Sequence, residues 1–424
     1  MYIIYRAVCI LMLPFVFFRL LFKARSDKKY LSNWSERFGF YSMDTSCYKF
    51  WVHAVSVGEV VAASAIIDRC LAQYPDDKII ITVMTPTGRQ RAHDLYADND
   101  AVICAYLPYD IRFAIMKFLR HFNPKILIIM ETEIWPTLLQ VVSEKNIAIM
   151  LANARLSARS CRSYARVRVF SRQVLSHISC IAAQSKQDAK RFAFLQGGAQ
   201  KNIVILGSVK YDLALKQLGA ISPISPITAI KGEKTFIAVS THPGEEEQIF
   251  LAFKNIKVKH VKARLILAPR HSYRAESLMK MSGASYGFRS ELYSKLSSNN
   301  TEYDVILVDK MGVISSLLNM ANVVFVGGSL VAKGGQNPLE PAAHSLPIIM
   351  GPSRYNFNAV TCSMAGDGGL FLVESAADIT LLVNDFFENP QQAKLAGEAA
   401  YNNVMKYLGA TDRHMHYIKE LVQK

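Results

Sequence analysis

Several features are scarce or missing from this sequence. Its seven cysteines (Cys9, Cys47, Cys70, Cys104, Cys161, Cys180, Cys362) are scattered and odd in number. No Cys-x-x-Cys pair occurs, which excludes a zinc ribbon or thioredoxin-like site and argues against a disulfide framework. A reducing, cytosol-facing compartment is expected. No Gly-x-Gly-x-x-Gly follows the first strand candidate, and no Gly-x-x-x-x-Gly-Lys-Ser/Thr is present. Dinucleotide oxidoreductases and P-loop NTPases therefore lose their main support. No His/Asp/Glu cluster has metal-ligand spacing, and no short repeat or low-complexity tract is visible. Charged residues make up only 20% of the chain against 51% hydrophobic, which excludes a disordered protein.

Acid is the scarce sign of charge. Asp and Glu number 34 against 49 Lys and Arg, a net charge of +15. That surplus points to an anionic partner: nucleic acid, acidic lipid, or a phosphorylated or carboxylated substrate. Part of it sits at the start. Residues 1–22 read MYIIYRAVCILMLPFVFFRLLF, with an apolar run from Ala7 to Phe18 between Arg6 and Arg19 and with Pro14 inside it. A full span needs about 20 apolar residues, reached here only if both arginines snorkel. No small-residue cleavage site follows, so a retained membrane anchor over residues 1–24, spanning or interfacial, is expected. The alternative is a buried N-terminal helix. Six of the seven Lys/Arg within residues 1–37 follow the run, which by the positive-inside rule keeps the chain body cytoplasmic.

At 424 residues the chain is too long for one ordinary core, and two domains are expected. Short apolar runs at 50–55, 79–84, 101–107, 126–130, 148–152, 180–183 and 203–206 read as strands. Amphipathic stretches such as 59–73 and 111–122 read as the helices between them. The pattern restarts at 235–239, 263–268, 304–308, 323–326 and 347–350, after a stretch rich in Gly and Pro at 217–234. Strands alternating with helices predict an α/β protein with parallel, doubly wound sheets. The expected division is an anchor at 1–24, a Rossmann-like domain at 25–216, a linker at 217–234 and a second Rossmann-like domain at 235–424, with the last helix packing back on the first domain. Two such halves place a cleft between domains.

Seven motifs carry candidate chemistry. In HAVSVGE (53–59), Ser56 and Gly58 form a turn and Glu59 opens a helix, so its carboxylate suits a general base at a strand's carboxyl end. The helix N-terminus favours the anion and lowers its basicity, and capping alone is the competing reading. In METEIWP (130–136), Glu131 and Glu133 leave a strand on the same side of an extended chain beside Trp135. In NARLSARSCRSYARVR (153–168), Arg155, Arg159, Arg162 and Arg166 step by helical spacing onto one face. Such a face suits lipid headgroups or substrate phosphates, or is simply solvated. Base-stacking aromatics are not interleaved in the way single-strand binders use them, which disfavours nucleic acid.

GSVKYD (207–212) brings Lys210 toward the cleft, where an ammonium neutralises a carboxylate or phosphate. In STHPGEEE (240–247), Ser240 or Thr241 caps a helix opened by three glutamates, and His242 faces substrate. APRH (268–271) sets Pro269 and Arg270 after a strand, with Arg270 suited to a bidentate grip on phosphate. FVGGSLVAKGGQNPLEPAAH (325–344) is the most specific signal. Gly334 and Gly335 let backbone approach a ligand. Asn337 caps a helix whose first residue is Pro338, and Glu340 lies one turn in, in reach of ribose hydroxyls. Asp98-Asn99-Asp100 spells the Asp-x-Asp of many metal-dependent sugar transferases, but it precedes a strand and reads as a turn.

Taken in order, these motifs, with MGPSRYNF (350–357), resemble the 3-deoxy-D-manno-octulosonic acid (Kdo) transferases of Gram-negative bacteria, across nearly the whole chain. The resemblance implies a GT-B glycosyltransferase of lipopolysaccharide core assembly, on the cytoplasmic side of the inner membrane. It implies CMP-Kdo as donor, lipid IVA as acceptor, an anionic membrane surface as partner and no metal cofactor. It places the base at Glu59 and transition-state stabilisation at Glu131 and Lys210. Nucleotide binding falls at Pro269, Arg270, Met311, Gly312, Val313, Asn337, Pro338, Leu339 and Glu340. Ser56, Gly58, Arg155 and Arg159 are expected on the acceptor side. Val313 departs from the acidic residue common at that position in the family. The alternatives are a UDP-sugar transferase or epimerase of the same fold, and a non-catalytic protein that binds anionic lipid at a membrane surface.

Overall fold

The computed structural model describes residues 1–25, 28–43, 45–198, 202–219, 234–296 and 303–423. The apolar runs become strands with no polar face, the form a sheet takes when helices cover both sides. β1 (Phe50–His53), β2 (Ile79–Val83), β3 (Val102–Tyr106), β4 (Ile126–Met130), β5 (Ala148–Ala154), β6 (Cys180–Ala183) and β7 (Ile203–Ile205) pair in parallel in the order β3-β2-β1-β4-β5-β6-β7. β8 (Thr235–Thr241), β9 (Arg264–Pro269), β10 (Ser290–Leu292), β11 (Val305–Leu307), β12 (Val323–Val326), β13 (Ile348–Met350) and β14 (Leu370–Leu372) form a second parallel sheet, ordered β10-β11-β9-β8-β12-β13-β14. The expected α/β class and parallel sheets are what the chain forms. β10 and β14 were not foreseen; in β10, Ser290 and Glu291 leave no apolar run to mark the strand.

The chain divides into two compact units, Met1–Asp212 with Gly409–Lys424, and Leu213–Leu408. In the first, Trp51, Phe118 and Phe122 are buried in one core. In the second, Phe236, Phe250, Phe253 and Phe325 fill another. Residues 217–219 end the helix Val209–Gly219 rather than opening a linker, and residues 220–233 of that expected linker lie outside the described residues.

The helix Ala410–Gln423 belongs to the first unit. Its attachment is polar and specific. Asp212 accepts the N–H groups of Gly409 (2.8 Å) and Thr411 (2.6 Å). The fully buried His414 gives its Nδ1–H to Ala410 O (2.7 Å), and its Nε2 accepts the N–H of Asn153 (3.0 Å). Burial pushes the His414 pKa down to about 4, against a backbone hydrogen bond that raises it.

The N-terminal residues form two helices, Tyr2–Leu11 and Leu13–Ala24, bent by 43° at Met12. Among the described residues no single helix is long and apolar enough to cross a membrane, and this pair meets the length and composition only together. The first helix is docked by one face. Tyr5 donates to Asp110 (2.8 Å), Arg6 to Gln140 (2.9 Å), and Tyr2 packs edge-on against Phe170. Other positions leave Ile3, Ile4, Leu11, Phe15, Phe18 and Phe22 exposed.

His414→Ala strands the buried Asn153 N–H, and unfolding free energy should drop by about 2 kcal/mol. The His414 contribution is complete above the unfolded histidine pKa of about 6.5 and falls away as pH drops toward 4, because only the unfolded ring is then protonated. Denaturant titrations of both proteins at pH 7.5 and pH 5 measure it: the gap should be larger at pH 7.5.

Candidate active site

In a doubly wound sheet, ligands collect at the carboxyl ends of strands where the strand order changes direction. That point lies between β1 and β4 in the first sheet and between β8 and β12 in the second. Glu59 and Glu131 follow β1 and β4, and His242 and the loop 327–335 follow β8 and β12, while Lys210, Arg270 and Met311 follow β7, β9 and β11.

In the first unit, β1 runs out through Ser56, the N-cap of the helix Val57–Gln73, and Glu59 is the third residue of that helix. Glu59 Oε2 accepts the N–H of Val55 (2.7 Å), and Oε1 accepts the Ser56 hydroxyl (3.2 Å). Glu59 therefore reaches back past the N-cap to Val55, a bond that is not that of a capping box. Capping does not set its acidity. Burial pushes its pKa up to about 7, the Val55 N–H opposes this, and the charges of Glu131 and Glu133 add to it. The expected loss of basicity at the helix N-terminus is thus overturned by desolvation. Gly58 is exposed, and nothing lies within 4 Å of where its Cβ would be, so the helix start beside Glu59 is open.

Glu131 leaves β4 with φ of 56°, a left-handed conformation that costs a non-glycine residue about 1 kcal/mol or more. The extended alternation that put Glu131 and Glu133 on the same side is therefore broken. Each acid finds its own partner. Glu131 meets Lys210 Nζ at 2.7 Å, with the two side chains 20% and 26% exposed. Glu133 accepts the Trp135 indole N–H (3.0 Å), and burial raises its pKa. Lys210 sits in the first turn of the helix Val209–Gly219, whose first N–H, that of Val209, donates to Asn153 Oδ1 (3.3 Å).

Arg155 is not on the arginine helix. Ser157 caps that helix, Ala158–Ala165, by accepting the Ser160 N–H, so Arg155 lies two residues before the cap. Its backbone is tied instead to the acid loop: its N–H donates to Glu131 O (3.4 Å), and its carbonyl accepts the Thr132 hydroxyl. Arg159, Arg162 and Arg166 are exposed. Cavities of about 680 and 640 Å³ in this unit are lined by other residues, among them Arg89 and Tyr96, and Arg120 and Lys145. Among the described residues no group of three or more His, Cys, Asp or Glu is placed to hold a metal ion.

In the second unit, two of the three glutamates do more than open a helix. Fully buried Glu245 accepts four backbone N–H groups, those of His242 (2.8 Å), Gly328 (2.7 Å), Ser329 (2.9 Å) and Leu330 (2.9 Å). It thereby fixes the loop after β12 to the end of β8. Glu246 is also buried, paired to Arg274 (2.6 Å) and bonded by the Thr241 hydroxyl (3.0 Å). Neither Ser240 nor Thr241 caps the helix Glu246–Lys259, which has no side-chain cap. A Cβ on Gly327 would stand 2.5 Å from Ser240 O, so only glycine lets the two strand ends meet. Gly334 and Gly335 are approached by the chain's own residues rather than leaving backbone bare: the Gly334 N–H donates to Ser353 (2.9 Å), and its carbonyl accepts the Asn356 N–H (2.9 Å).

Around this loop stand the remaining candidates. Arg270 is exposed at the end of β9, after buried Pro269. Burial lowers the pKa of His242, Glu245 opposes, and His271, Lys333 and Arg270 lower it further. Those three groups thus crowd one imidazole, and His271 and Lys333 received no role from the motifs that contain them. Asn337 Oδ1 accepts the Leu339 N–H (3.2 Å), so it caps the five-residue helix Leu339–Ala343 from two residues before it; Pro338, expected at its first position, is the N-cap. Glu340 is half-buried, its pKa raised by burial alone, and its carboxylate has no partner among the described residues. Met311 is exposed and Gly312 has φ of 82°. Val313 is the N-cap of the helix Ile314–Leu318 and offers no side-chain acceptor.

Two Rossmann-like units, each with its polar groups at the sheet's switch point, make this a GT-B protein. UDP-N-acetylglucosamine 2-epimerase has a similar fold (TM-score 0.62, 12% identity, 89% of this chain and 96% of that one). So does a glycosyltransferase from Rickettsia africae (TM-score 0.58, 12% identity, 89% and 100%). Residues 32–213 match the family model of 3-deoxy-D-manno-octulosonic-acid transferase. The 3-deoxy-D-manno-octulosonic acid transferase of Haemophilus influenzae is 35% identical over 404 residues, 93% of each chain. The chain belongs to the Kdo transferase family and is a glycosyltransferase.

Glu245→Ala leaves four loop N–H groups without their shared acceptor. A loss of roughly 3 kcal/mol or more in unfolding free energy is expected, measurable as a lower thermal midpoint, whereas Glu247→Ala at the same helix start should stay within about 0.5 kcal/mol.

Proposed function

We propose that the protein is an inverting transferase that moves Kdo from CMP-Kdo to lipid IVA in lipopolysaccharide core assembly, adding one or more Kdo residues. The observation that carries this reading is Glu59, a half-buried carboxylate with a pKa of about 7, set beside the Glu131–Lys210 ion pair in a chain of this family. A base with that pKa is half ionised at neutral pH and still basic enough to take a hydroxyl proton. Glu59 takes the proton of the acceptor hydroxyl as its oxygen attacks the anomeric carbon. The bond from that carbon to the phosphate oxygen breaks, CMP leaves with the electron pair, and the centre inverts. Glu131 holds the Lys210 ammonium where it stabilises charge developing in the transition state.

The second unit takes the nucleotide. Arg270, after Pro269, meets the phosphate, with His271 and Lys333 adding positive charge. The partnerless carboxylate of Glu340 accepts ribose hydroxyls, and the segments at 311–313 and 337–339 supply backbone contacts. A monophosphate leaving group carries less charge than a diphosphate, so fixed cations suffice and no metal cofactor is required. Ser56, Gly58, Arg155 and Arg159 face the acceptor, whose phosphates match the exposed arginines. The exposed apolar residues of the first two helices, with Arg19, Lys23 and Arg25, seat the protein on the cytoplasmic face of an anionic inner membrane.

Incubation with CMP-Kdo and lipid IVA in excess EDTA, followed by mass spectrometry, tests the reading. A mass gain of one or more Kdo units is expected, and no gain overturns it. Glu59→Gln should lower kcat by roughly 10²–10⁴-fold. In the wild type, kcat/KM should fall as pH drops through about 7, because protonating Glu59 removes the base. A rate flat from pH 8 to pH 5.5 would exclude Glu59 from that role.

A further inference from the structure

The first helix does more than carry apolar residues. Its Tyr5 hydroxyl donates to Asp110 Oδ2 (2.8 Å), and Asp110 is otherwise committed to one task. Its Oδ2 also accepts the N–H of Thr137 (3.0 Å), and its Oδ1 accepts that of Leu138 (2.7 Å). Those are the second and third residues of the helix Pro136–Glu144, whose own N-cap, Trp135, offers no side-chain acceptor. A helix start needs such acceptors, and here they come from a loop twenty-five residues earlier in the chain. Asp110 is buried, so an unmet lone pair on it is costly. Arg6 adds a second tie to the same helix at Gln140. Tyr2 and Tyr5 rest on Phe170, with ring centroids 5.2 and 5.8 Å away.

What this clamp holds is the acid loop. Trp135, fixed as the N-cap, binds Glu133 through its indole N–H, and Glu133 is one of the charges felt by Glu59. Resting on the functional reading above, we propose that Tyr5 and Asp110 are positioning residues for transfer: the N-terminal helix, docked through them, sets the start of the helix Pro136–Glu144 and so the placement of Glu133 beside the reacting groups. Membrane attachment and catalysis then share one element. The exposed side of the helix serves the first and the docked side the second, and the two can be separated by substitution.

The experiment uses the full-length protein in detergent micelles with CMP-Kdo and lipid IVA. Tyr5→Phe removes one hydroxyl and keeps the ring on Phe170. Expected are a kcat lower by roughly tenfold and a KM for each substrate within about twofold, the pattern of misplaced groups rather than lost binding. A smaller fraction of folded enzyme would also lower kcat, so the pH profile decides. Around Glu59 stand the Val55 N–H, the Ser56 hydroxyl, Glu131 with its Lys210, and Glu133. Moving Glu133 away removes one negative charge, and the acid limb should shift to lower pH; partial inactivation leaves it in place. Flotation on vesicles of phosphatidylglycerol and phosphatidylethanolamine should be unchanged in Tyr5→Phe and weakened in Ile4→Ser/Leu11→Ser, which in micelles should keep wild-type kcat.

Wild-type kcat in Tyr5→Phe, or a tenfold loss with an unmoved acid limb, overturns the proposal. Should Asp110→Asn fail to fold, Tyr5→Phe still decides. Glu59→Gln, run alongside, keeps the two readings apart. If it abolishes transfer while Tyr5→Phe does not, only the positioning role falls. If it leaves transfer intact, the functional reading falls and the proposal with it.

Discussion

Taking carboxylates out of water is the constraint on which the rest of this molecule turns. The strands of both sheets have no polar face, so polar chemistry is confined to their ends. There the acids are half or fully buried, and each must either find donors or hold its proton more tightly. Glu59 does the second, despite one backbone N–H and a hydroxyl. Glu131 and Glu246 find cations, in Lys210 and Arg274. Asp110, Asp212 and Glu245 find backbone N–H groups. One cost thus accounts both for the raised pKa of Glu59 and for the bonded acids around it.

The two units use the same device for different ends. In the first, ionisable side chains gather where β1 and β4 stop, and Glu131 and Asn153 adopt positive φ at the carboxyl ends of β4 and β5. Such strain persists only where surrounding contacts over-determine it. Asn153 illustrates this: its N–H goes to His414, its carbonyl accepts from Gln184, and its Oδ1 receives Val209. In the second unit the buried Glu245 occupies the N–H groups nearest β12, while the charges of His271, Lys333 and Arg270 act on His242 beside that loop.

Much of the fold was legible because a covered parallel strand is written as an unbroken apolar run; 126–130, 180–183 and 323–326 were located to the residue. The placement of candidate residues was legible where a motif follows such a run: Glu59, Glu131, Lys210 and Arg270 all come shortly after a strand, as expected. Two readings failed for a local reason. The spacing of Arg155 with Arg159 is helical, but Ser157 between them is a cap, and the cap marks the boundary. The alternation of Glu131 and Glu133 assumed an extended chain that turns left-handed at Glu131. The supports left no local trace at all. Tyr5 with Asp110, Asn153 with His414 and Glu245 with Gly328 join residues from 83 to 261 positions apart, and no window of sequence contains both members of such a pair.

The return of the chain to the first unit at Gly409 has a consequence for synthesis. Residues 409–424 leave the ribosome after the whole of the second unit. Until then Asp212 lacks the Gly409 and Thr411 N–H groups, Asn153 lacks His414, and the helix that carries Lys210 lacks part of its support. Domains fold as they emerge, so the second unit can finish before the first, which is begun earlier and completed last. A nascent chain cut short near residue 409 would hold a complete second unit but an unfinished first one. A finished first unit is thereby reserved for chains whose synthesis has passed through that helix.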